Sequence, residues 1–317
     1  MNTFIIAEAG VNHNGSLKKA FELVDIAKSS GANAIKFQTF KTDNLVLKNT
    51  KLANYQKKNL SADTDQYRML KNLELSFDEF AQIKDYCTSK KIEFMSTAFD
   101  SESLDFLSNT LSVNILKIPS GELTNIPFII EHARTGKKLI ISTGMGTIDE
   151  VEIALGAVNF GMKCNESIPF EKDFIGTLAF PHNESGLKKM VTVLHCSSEY
   201  PANIKNINLE AMKTIRNTFN VNVGYSDHTL GDEVAVAAVA LGAKVIEKHF
   251  TISRNLEGPD HKASLEPNEL TILVKKIRNI EMALGNGEKM PSEQEYELRD
   301  IARKSLVAKE NLSLIHI

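Results

Sequence analysis

The chain has 317 residues, of which 42% are hydrophobic and 24% are charged, and its formal net charge is -3. This is the composition of an ordinary soluble globular protein, and without a basic excess it argues against a nucleic-acid-binding protein. No stretch approaches the roughly 18 consecutive apolar residues that a membrane span needs, and the N-terminus lacks the basic region of a signal peptide. The sequence therefore predicts a cytoplasmic protein with neither nucleic acid nor membrane as a partner.

Three cysteines, Cys87, Cys164 and Cys196, are far apart in the sequence and form no CxxC pair. Their odd number and wide spacing indicate neither a disulfide framework nor a cysteine metal site. Unpaired cysteine is among the residue types most often buried, so we predict buried free thiols.

Short apolar runs alternate with amphipathic helical patterns along the chain. Several runs, such as "FIIAEAG", "KLIISTG" and "VTVLHC", are continuously apolar, which is typical of parallel strands covered on both faces. The predicted strands span residues 4–9, 34–38, 93–97, 115–118, 138–142, 191–196, 221–225 and 244–249. Eight strands alternating with helices predict an α/β protein with a closed (β/α)8 TIM barrel, and an open doubly wound sheet is the alternative.

Two connections are longer than a minimal barrel requires. Residues 39–64 are polar and are predicted to form a long loop over one face of the barrel, and residues 159–189 are predicted to be a peripheral insertion. We expect the barrel domain to cover residues 1–285. Residues 286–317 contain a further helical pattern and end in an apolar tail that resembles the first strand of another domain.

Polar residues cluster where the predicted strands end, and this is the face on which barrels of this type carry their active sites. Two lysines among several hydroxyls favour a small anionic ligand, because burying an unpaired ammonium group is costly and a phosphate offsets that cost. Pairing of each lysine with a glutamate is the alternative. No P-loop or Rossmann glycine pattern is present, so side chains are expected to hold the phosphate. These strand-end candidates include Glu8, Lys36, Gln38, Thr97, Lys117, Ser120, Glu122, Ser142, Ser198, Tyr200, Ser226 and Glu247.

Two histidines, His228 and His249, end neighbouring predicted strands. A single histidine at such a position is usually a hydrogen-bonded structural residue, but two that face one mouth predict a metal site with open positions for water or substrate. The residue types alone leave zinc, iron and manganese open.

Eight ordered motifs resemble the sialic acid synthase family, which includes N-acetylneuraminate, legionaminic acid and pseudaminic acid synthases. The resemblance covers about residues 3–310 and is interrupted only near residues 159–189. The motifs are "AEAGVNHNGS", "IKFQTFKTDNL", "LKIPSGELTNIP", "ISTGM", "LHCSSEYP", "VGYSDHTLG", "VIEKHF" and "GPDHKASLEP".

The resemblance implies condensation of phosphoenolpyruvate with an open-chain N-acetylated aminohexose, typically N-acetylmannosamine, to give a 2-keto sugar acid and phosphate. It implies a homodimer and a Mn2+ or Mg2+ ion held by His228 and His249. It also implies catalytic roles for Glu8, Lys117 and Glu122, the last in proton transfer or in orienting hydroxyls. Phosphoenolpyruvate would contact Lys36, Thr97, Lys117, Ser120, Ser142 and Ser226, and the sugar would contact Glu8, Gln38, Ser198, Tyr200 and Asp260.

The family also implies a C-terminal antifreeze-like domain, from which an arginine reaches the sugar site of the partner subunit. Residues 286–317 are accordingly interpreted as a linker helix and the truncated start of that domain, and Arg303 is not a substitute for the arginine. Three alternatives stay open: a legionaminic acid synthase using 2,4-diacetamido-2,4,6-trideoxymannose, another phosphoenolpyruvate-dependent aldol enzyme, and a catalytically idle barrel that serves as a binding subunit.

Overall fold

The computed structural model describes residues 2–52, 56, 64–163, 186–311 and 313–315. The chain divides into two compact units, Met1–Met282 and Ala283–Ile317. The first unit holds the barrel. In the described residues no helix is both long enough and apolar enough to cross a lipid bilayer.

Eight parallel strands close into a barrel in sequence order, β1 to β8, with β8 pairing back onto β1. This closure confirms the predicted (β/α)8 barrel and excludes the open sheet. The strands are β1 Phe4–Gly10, β2 Ala34–Thr39, β3 Glu93–Ala98, β4 Ile115–Ile118, β5 Lys138–Ser142, β6 Val191–Cys196, β7 Asn222–Asp227 and β8 Val245–His249.

Helices follow the strands and cover the barrel. Short 3-10 turns at Ser120–Glu122, Ile204–Asn206 and His261–Ala263 and a π-helical turn at Phe106–Thr110 complete the described elements. The α-helices are α1 Leu17–Ser29, α2 Thr42–Leu45, α3 Gln66–Leu73, α4 Phe77–Lys90, α5 Ser101–Asp105, α6 Ile126–Arg134, α7 Ile148–Lys163, α8 Gly186–Met190, α9 Ala211–Phe219, α10 Glu233–Ala240, α11 Pro267–Leu284 and α12 Glu293–Ala302.

Alternate strand residues face either the helices or the barrel interior. On β1, Ile5 and Ala7 belong to the large cluster that includes Leu23 of α1 and Phe80 of α4, whereas Ile6 belongs to a separate cluster inside the barrel. We call this second cluster the plug. Its fully buried or nearly buried members are Ile6, Ala34, Met95, Ile140, Leu194 and Val245.

Five of the six plug residues lie two positions before a polar residue on the same strand, and the sixth, Leu194, lies two positions before Cys196. Residues two apart on a strand face the same side. Ile6 precedes Glu8, Ala34 precedes Lys36 and Val245 precedes Glu247 in this way. Inside the barrel, an apolar layer therefore lies directly beneath a polar layer at the carboxyl ends of the strands.

The structure differs from the predicted elements at two places. Strand β7 continues to Asp227 and not only to residue 225, because Ser226 and Asp227 pair with Glu247 and Lys248 of β8. Within the predicted insertion, residues 159–163 continue helix α7 and residues 186–189 begin helix α8; residues 164–185, with Cys164, lie outside the described residues, as does most of 53–63. The other two cysteines are buried free thiols, as predicted.

Candidate active site

A cavity of about 210 Å³ opens at the carboxyl ends of the strands. Thirteen of the residues predicted for the site line it together, so the structure brings most of the prediction to one place. They are Glu8, Lys36, Gln38, Thr97, Lys117, Ser120, Ser142, Ser198, Tyr200, Ser226, His228, Glu247 and His249.

Strand register explains why these side chains meet. Glu8 of β1 is aligned with Lys36 of β2 on one side and with His249 of β8 on the other. Thr97 of β3 is aligned in the same way with Lys117 of β4. Residues at one level of neighbouring parallel strands that share a face are close in space, so the register gathers charges that are far apart in the sequence.

Four buried charges form the floor of the cavity, and each is at most 7% exposed. Lys36 Nζ lies 2.7 Å from Glu8 Oε2 and 3.6 Å from Glu247 Oε2. Lys117 Nζ lies 3.7 Å from Glu247 Oε1, so Glu247 stands between the two lysines. Lys36 also donates to Thr97 Oγ1 at 3.0 Å. The alternative of lysine–glutamate pairing is therefore realised in this structure, within a cavity that also offers hydroxyl groups.

Burial and mutual attraction shift the protonation of these groups in different directions. Burial raises the pKa of Glu8 to about 7, although the Lys36 ammonium opposes this shift. Burial also acts to raise the pKa of Glu247, but Lys117 and Lys36 outweigh it and hold that pKa well below its usual value. For Lys117, burial prevails and lowers the pKa of the ammonium group. Glu247 is thus the firmly ionised carboxylate of the cavity.

A shelf of small polar groups lines the wall beside the lysines. Ser120 Oγ accepts a hydrogen bond from the Gly144 amide at 3.0 Å and lies 3.1 Å from Cys196 Sγ. Ser142 Oγ is buried and has no hydrogen-bond partner among the described residues. A Cβ atom on Gly144 would lie 2.3 Å from Ser198 Oγ, so the shelf requires glycine at this position.

The two predicted metal-binding histidines lie side by side, with ring centroids 5.6 Å apart. His228 Nδ1 donates to the Ser197 carbonyl, so its Nε2 carries the lone pair, which accepts a hydrogen bond from the Tyr200 hydroxyl at 2.9 Å. His249 Nδ1 is buried without a hydrogen-bond partner among the described residues. Burial lowers the pKa of both imidazoles, which favours the neutral form that binds metals.

His228 fits a metal ion in its tautomer and in the orientation that the Ser197 carbonyl gives its ring, which is the usual support for a metal-binding histidine. The neutral ring of His249 lies beside it. Within the described part of the chain, no group of three or more histidine, cysteine, aspartate or glutamate side chains could hold a metal ion. That water or substrate would complete the coordination of an ion at the two imidazoles stays a prediction.

Two predicted residues do not line the cavity. Glu122 lies in the 3-10 turn after β4, where its carboxylate accepts a hydrogen bond from Asn125 Nδ2 at 2.6 Å. Asp260 is buried at the start of the turn after β8, and burial raises its pKa to about 6. Its backbone carbonyl accepts a hydrogen bond from Ser264 Oγ at 2.7 Å. Both residues lie on loops at the strand ends.

The sequence identifies Glu247 only as one of the strand-end candidates, whereas the structure places it between two lysines. Its alternation with His249 already put it on the inner side, but the partner lysines lie on strands far away in the sequence. Phe99, Met145 and Cys196 also line the cavity and were not predicted. Lys248, the residue between Glu247 and His249, does not line the cavity, in keeping with the alternation of side chains along a strand.

Comparisons with known proteins identify the family of this chain. The NeuB family model matches residues 23–289. The chain is 47% identical over 98% of its length to a protein of Legionella pneumophila named N,N'-diacetyllegionaminic acid synthase, of which it covers 82%. A protein of the same name from Campylobacter jejuni is 45% identical over 98% of this chain and 86% of its own length.

More distant relatives carry a related name. The N-acetylneuraminate-9-phosphate synthase of Homo sapiens is 32% identical over 96% of this chain and 78% of its own length. Among solved structures, the N-acetylneuraminic acid (sialic acid) synthetase of Leptospira borgpetersenii matches with a TM-score of 0.75 and 32% identity, covering 96% of this chain and 94% of the other.

Proposed function

Since this chain belongs to the NeuB family, we propose that it joins phosphoenolpyruvate to 2,4-diacetamido-2,4,6-trideoxymannose and releases phosphate, forming N,N'-diacetyllegionaminic acid. The observation that carries this choice of sugar is the identity of 47% and 45% to two relatives with that product in their names, against 32% to the human N-acetylneuraminate-9-phosphate synthase. The family and the synthase type of enzyme predicted from the sequence are confirmed. The comparisons favour the legionaminic alternative over N-acetylmannosamine, which becomes the second candidate substrate.

The cavity floor supports an anionic co-substrate. Lys36 and Lys117 are buried ammonium groups at its base, and the hydroxyls of Ser120, Ser142 and Ser226 line the same wall. Ammonium and hydroxyl donors stabilise a phosphate and a carboxylate by charge-assisted hydrogen bonds. We assign phosphoenolpyruvate to this part of the cavity, with Thr97 beside Lys36.

The sugar is assigned to Gln38, Ser198 and Tyr200, which line the same cavity together with Glu8. In the proposed reaction the methylene carbon of phosphoenolpyruvate attacks the aldehyde carbon and forms the new carbon–carbon bond. Water adds at the former enol carbon, and the tetrahedral intermediate breaks its carbon–oxygen bond to phosphate. Glu8 is placed to hold or pass the proton that the aldehyde oxygen gains.

Two loop carboxylates, Glu122 and Asp260, are proposed to orient the hydroxyls of the sugar from the rim. A Mn2+ or Mg2+ ion held by His228 and His249 would polarise the aldehyde oxygen as a Lewis acid. We also propose that the protein is a cytoplasmic homodimer.

Phosphate release tests the function and the choice of sugar together. Purified protein is supplied with phosphoenolpyruvate and Mn2+, and with either the diacetamido sugar, N-acetylmannosamine or no sugar. We expect release with the diacetamido sugar at a kcat/KM at least about tenfold above that with N-acetylmannosamine, a difference of about 1.4 kcal/mol in transition-state binding. A preference for N-acetylmannosamine would select the second candidate.

Release that does not depend on sugar, or no release with either sugar, would contradict the proposed synthase. The absence of release would favour the catalytically idle barrel. The retained lysines, hydroxyls and imidazoles of the cavity support the active enzyme over that alternative.

A further inference from the structure

A second buried ion pair lies next to the cavity without lining it. Lys248 Nζ is 2.7 Å from Asp227 Oδ2, and the two side chains are 1% and 0% exposed. Lys248 belongs to β8 and Asp227 to β7, and the two residues are aligned in the strand register. Each directly precedes a histidine of the candidate metal site, His249 and His228 respectively.

Stability alone does not explain such a pair. Removing two charges from water costs several kcal/mol per ion, and well-packed apolar residues in place of a buried ion pair are often neutral or stabilising. The pair is outside the cavity wall, so it does not contact a substrate there. A geometrical role is the remaining reason to place two charges at this position.

The contacts of Lys248 define that role. Its ammonium group donates to the Asp227 carboxylate and, at 2.6 Å, to the Thr229 carbonyl, which are the residues on either side of His228. The other Asp227 oxygen accepts from the Thr229 amide at 2.9 Å and from the Thr229 hydroxyl at 2.7 Å. The chain on both sides of His228 is thus attached to the residue that precedes His249.

We propose that Lys248 and Asp227 are positioning residues that hold the two imidazoles at a separation suited to one divalent ion. The proposal rests on the metal site of the proposed function. The ion pair would fix the geometry of the two histidine ligands. If the backbone of a histidine rotates, its lone pair no longer points at the ion. Partners that orient metal ligands typically contribute 10- to 100-fold to affinity.

The test is the Mn2+ affinity of the full chain, measured by titration with the electron paramagnetic resonance signal of free Mn2+ as the readout. The variant is the double substitution Asp227→Asn with Lys248→Met, which removes both charges together and keeps an oxygen that can accept from Thr229. We expect Mn2+ binding at least about tenfold weaker than in the unchanged protein. Ile277→Val, in the buried face of α11 away from the cavity, is the control for a modest loss of stability.

Thermal unfolding without metal separates positioning from folding. We expect the double variant to unfold cooperatively, and we expect Ile277→Val to keep its Mn2+ affinity even if its midpoint falls as far. Unchanged Mn2+ affinity in the double variant, or equal loss in both variants, overturns the proposal, as does a wild-type chain that does not bind Mn2+.

Phosphate release by the unchanged protein is measured in parallel, so that the two proposals fail separately. Release with unaltered Mn2+ affinity in the double variant rejects the positioning role and leaves the synthase standing. Loss of Mn2+ affinity in the double variant, together with no phosphate release by the unchanged protein, supports the positioning role and rejects the synthase.

Discussion

At the scale of single residues, Glu247 sets the charge of the cavity before a substrate arrives. It lies between Lys36 and Lys117, and Ser226 Oγ donates to it at 2.8 Å. Glu8 also neutralises Lys36, but in the described residues Lys117 has no carboxylate within 4 Å other than Glu247. An anionic substrate and Glu247 therefore share the same two ammonium groups.

Replacement of Glu247 by glutamine should expose this sharing. We expect Glu247→Gln to lower the free energy of unfolding by about 3 kcal/mol without ligand, because it leaves a buried ammonium uncompensated. Phosphoenolpyruvate should raise the unfolding midpoint more in this variant than in the unchanged protein, since its negative groups replace the lost one. Glu210→Gln, a carboxylate that is 68% exposed, is the control and should change stability by no more than about 0.5 kcal/mol. Equal stabilisation of all three proteins by phosphoenolpyruvate would contradict the prediction.

Kinetics should separate the two glutamates proposed for the reaction. We expect Glu8→Gln to lower kcat by about 100-fold, because its carboxylate lies in the cavity and is proposed to handle a proton. Glu122→Gln should instead raise the KM for the sugar by about tenfold with a smaller change in kcat, since the carboxylate lies outside the wall. Steady-state phosphate release measures both constants, and a large loss of kcat in Glu122→Gln would assign the proton transfer to that residue.

At the scale of elements, the short loop after β5 packs its backbone directly against the side chains of the wall that is proposed to bind the anion. Gly144 approaches three side chains of the shelf so closely that a methyl group at its Cα would displace them.

Helix α6, on the outside of the barrel, carries a different constraint. There the fully buried His132 donates from Nδ1 to the Phe128 carbonyl at 2.8 Å, and its Nε2 has no partner among the described residues.

Gly144→Ala should weaken phosphoenolpyruvate binding. The new Cβ would lie 2.3 Å from Ser198 Oγ and 2.9 Å from Ser120 Oγ, so these hydroxyls must move from their places on the wall. We expect the KM for phosphoenolpyruvate to rise about tenfold or more, which corresponds to about 1.4 kcal/mol. In Gly186→Ala, where the nearest atom would be 3.7 Å away, the KM should not change. Equal KM values in the two variants would show that the wall adapts.

His132 should make stability depend on pH. Burial lowers its pKa from 6.5 to about 4, so its contribution is fully present above pH 6.5 and is lost as the pH falls towards 4, where the unfolded chain takes up a proton first. Between pH 7 and pH 5 this loss amounts to about 2 kcal/mol. His132→Phe, which retains an aromatic ring next to Phe128, should therefore lose that much less stability over this range in denaturant unfolding. Identical pH dependence in both proteins would contradict the assignment.

The sequence predicted the elements better than the contacts between them. Continuous apolar runs located the strands, and the histidines and lysines at their ends located the cavity. The end of β7 was missed because Ser226 and Asp227 are polar and are held in the strand by pairing with β8. The central position of Glu247 depends on Lys36 and Lys117, which only the closed barrel brings near it. Whether a loop carboxylate such as Asp260 reaches the cavity depends on the path of the loop, which no periodic pattern encodes.

At the scale of the whole molecule, the unit Ala283–Ile317 has a surface unlike that of a self-contained domain. Helix α12 has no buried residue. Large apolar side chains are exposed on this unit, including Ile301 at 84%, Val307 at 85% and Leu314 at 92%. Exposed apolar groups that are close in sequence often mark an interaction surface, and the proposed homodimer would cover them.

Light scattering after size exclusion should test this assignment. We expect the full chain to elute as a dimer at micromolar concentration, and a chain of residues 2–284, which retains α11 in full, to elute as a monomer. Cooperative thermal unfolding of the shortened chain would show that its barrel is intact. A shortened chain that remains dimeric would place the subunit interface on the barrel.

The layered interior of the barrel has a consequence for how its sequence can change. Core and chemistry occupy positions of the same parity on each strand, two residues apart, as with Ile6 and Glu8 or Val245 and Glu247. A one-residue slip of the whole strand would turn both towards the helices at once. A two-residue slip would keep the parity but lower a charge into the plug. The register of each strand is therefore fixed by folding, because a strand in the wrong register loses its packing in the core as well as its side chains in the active site.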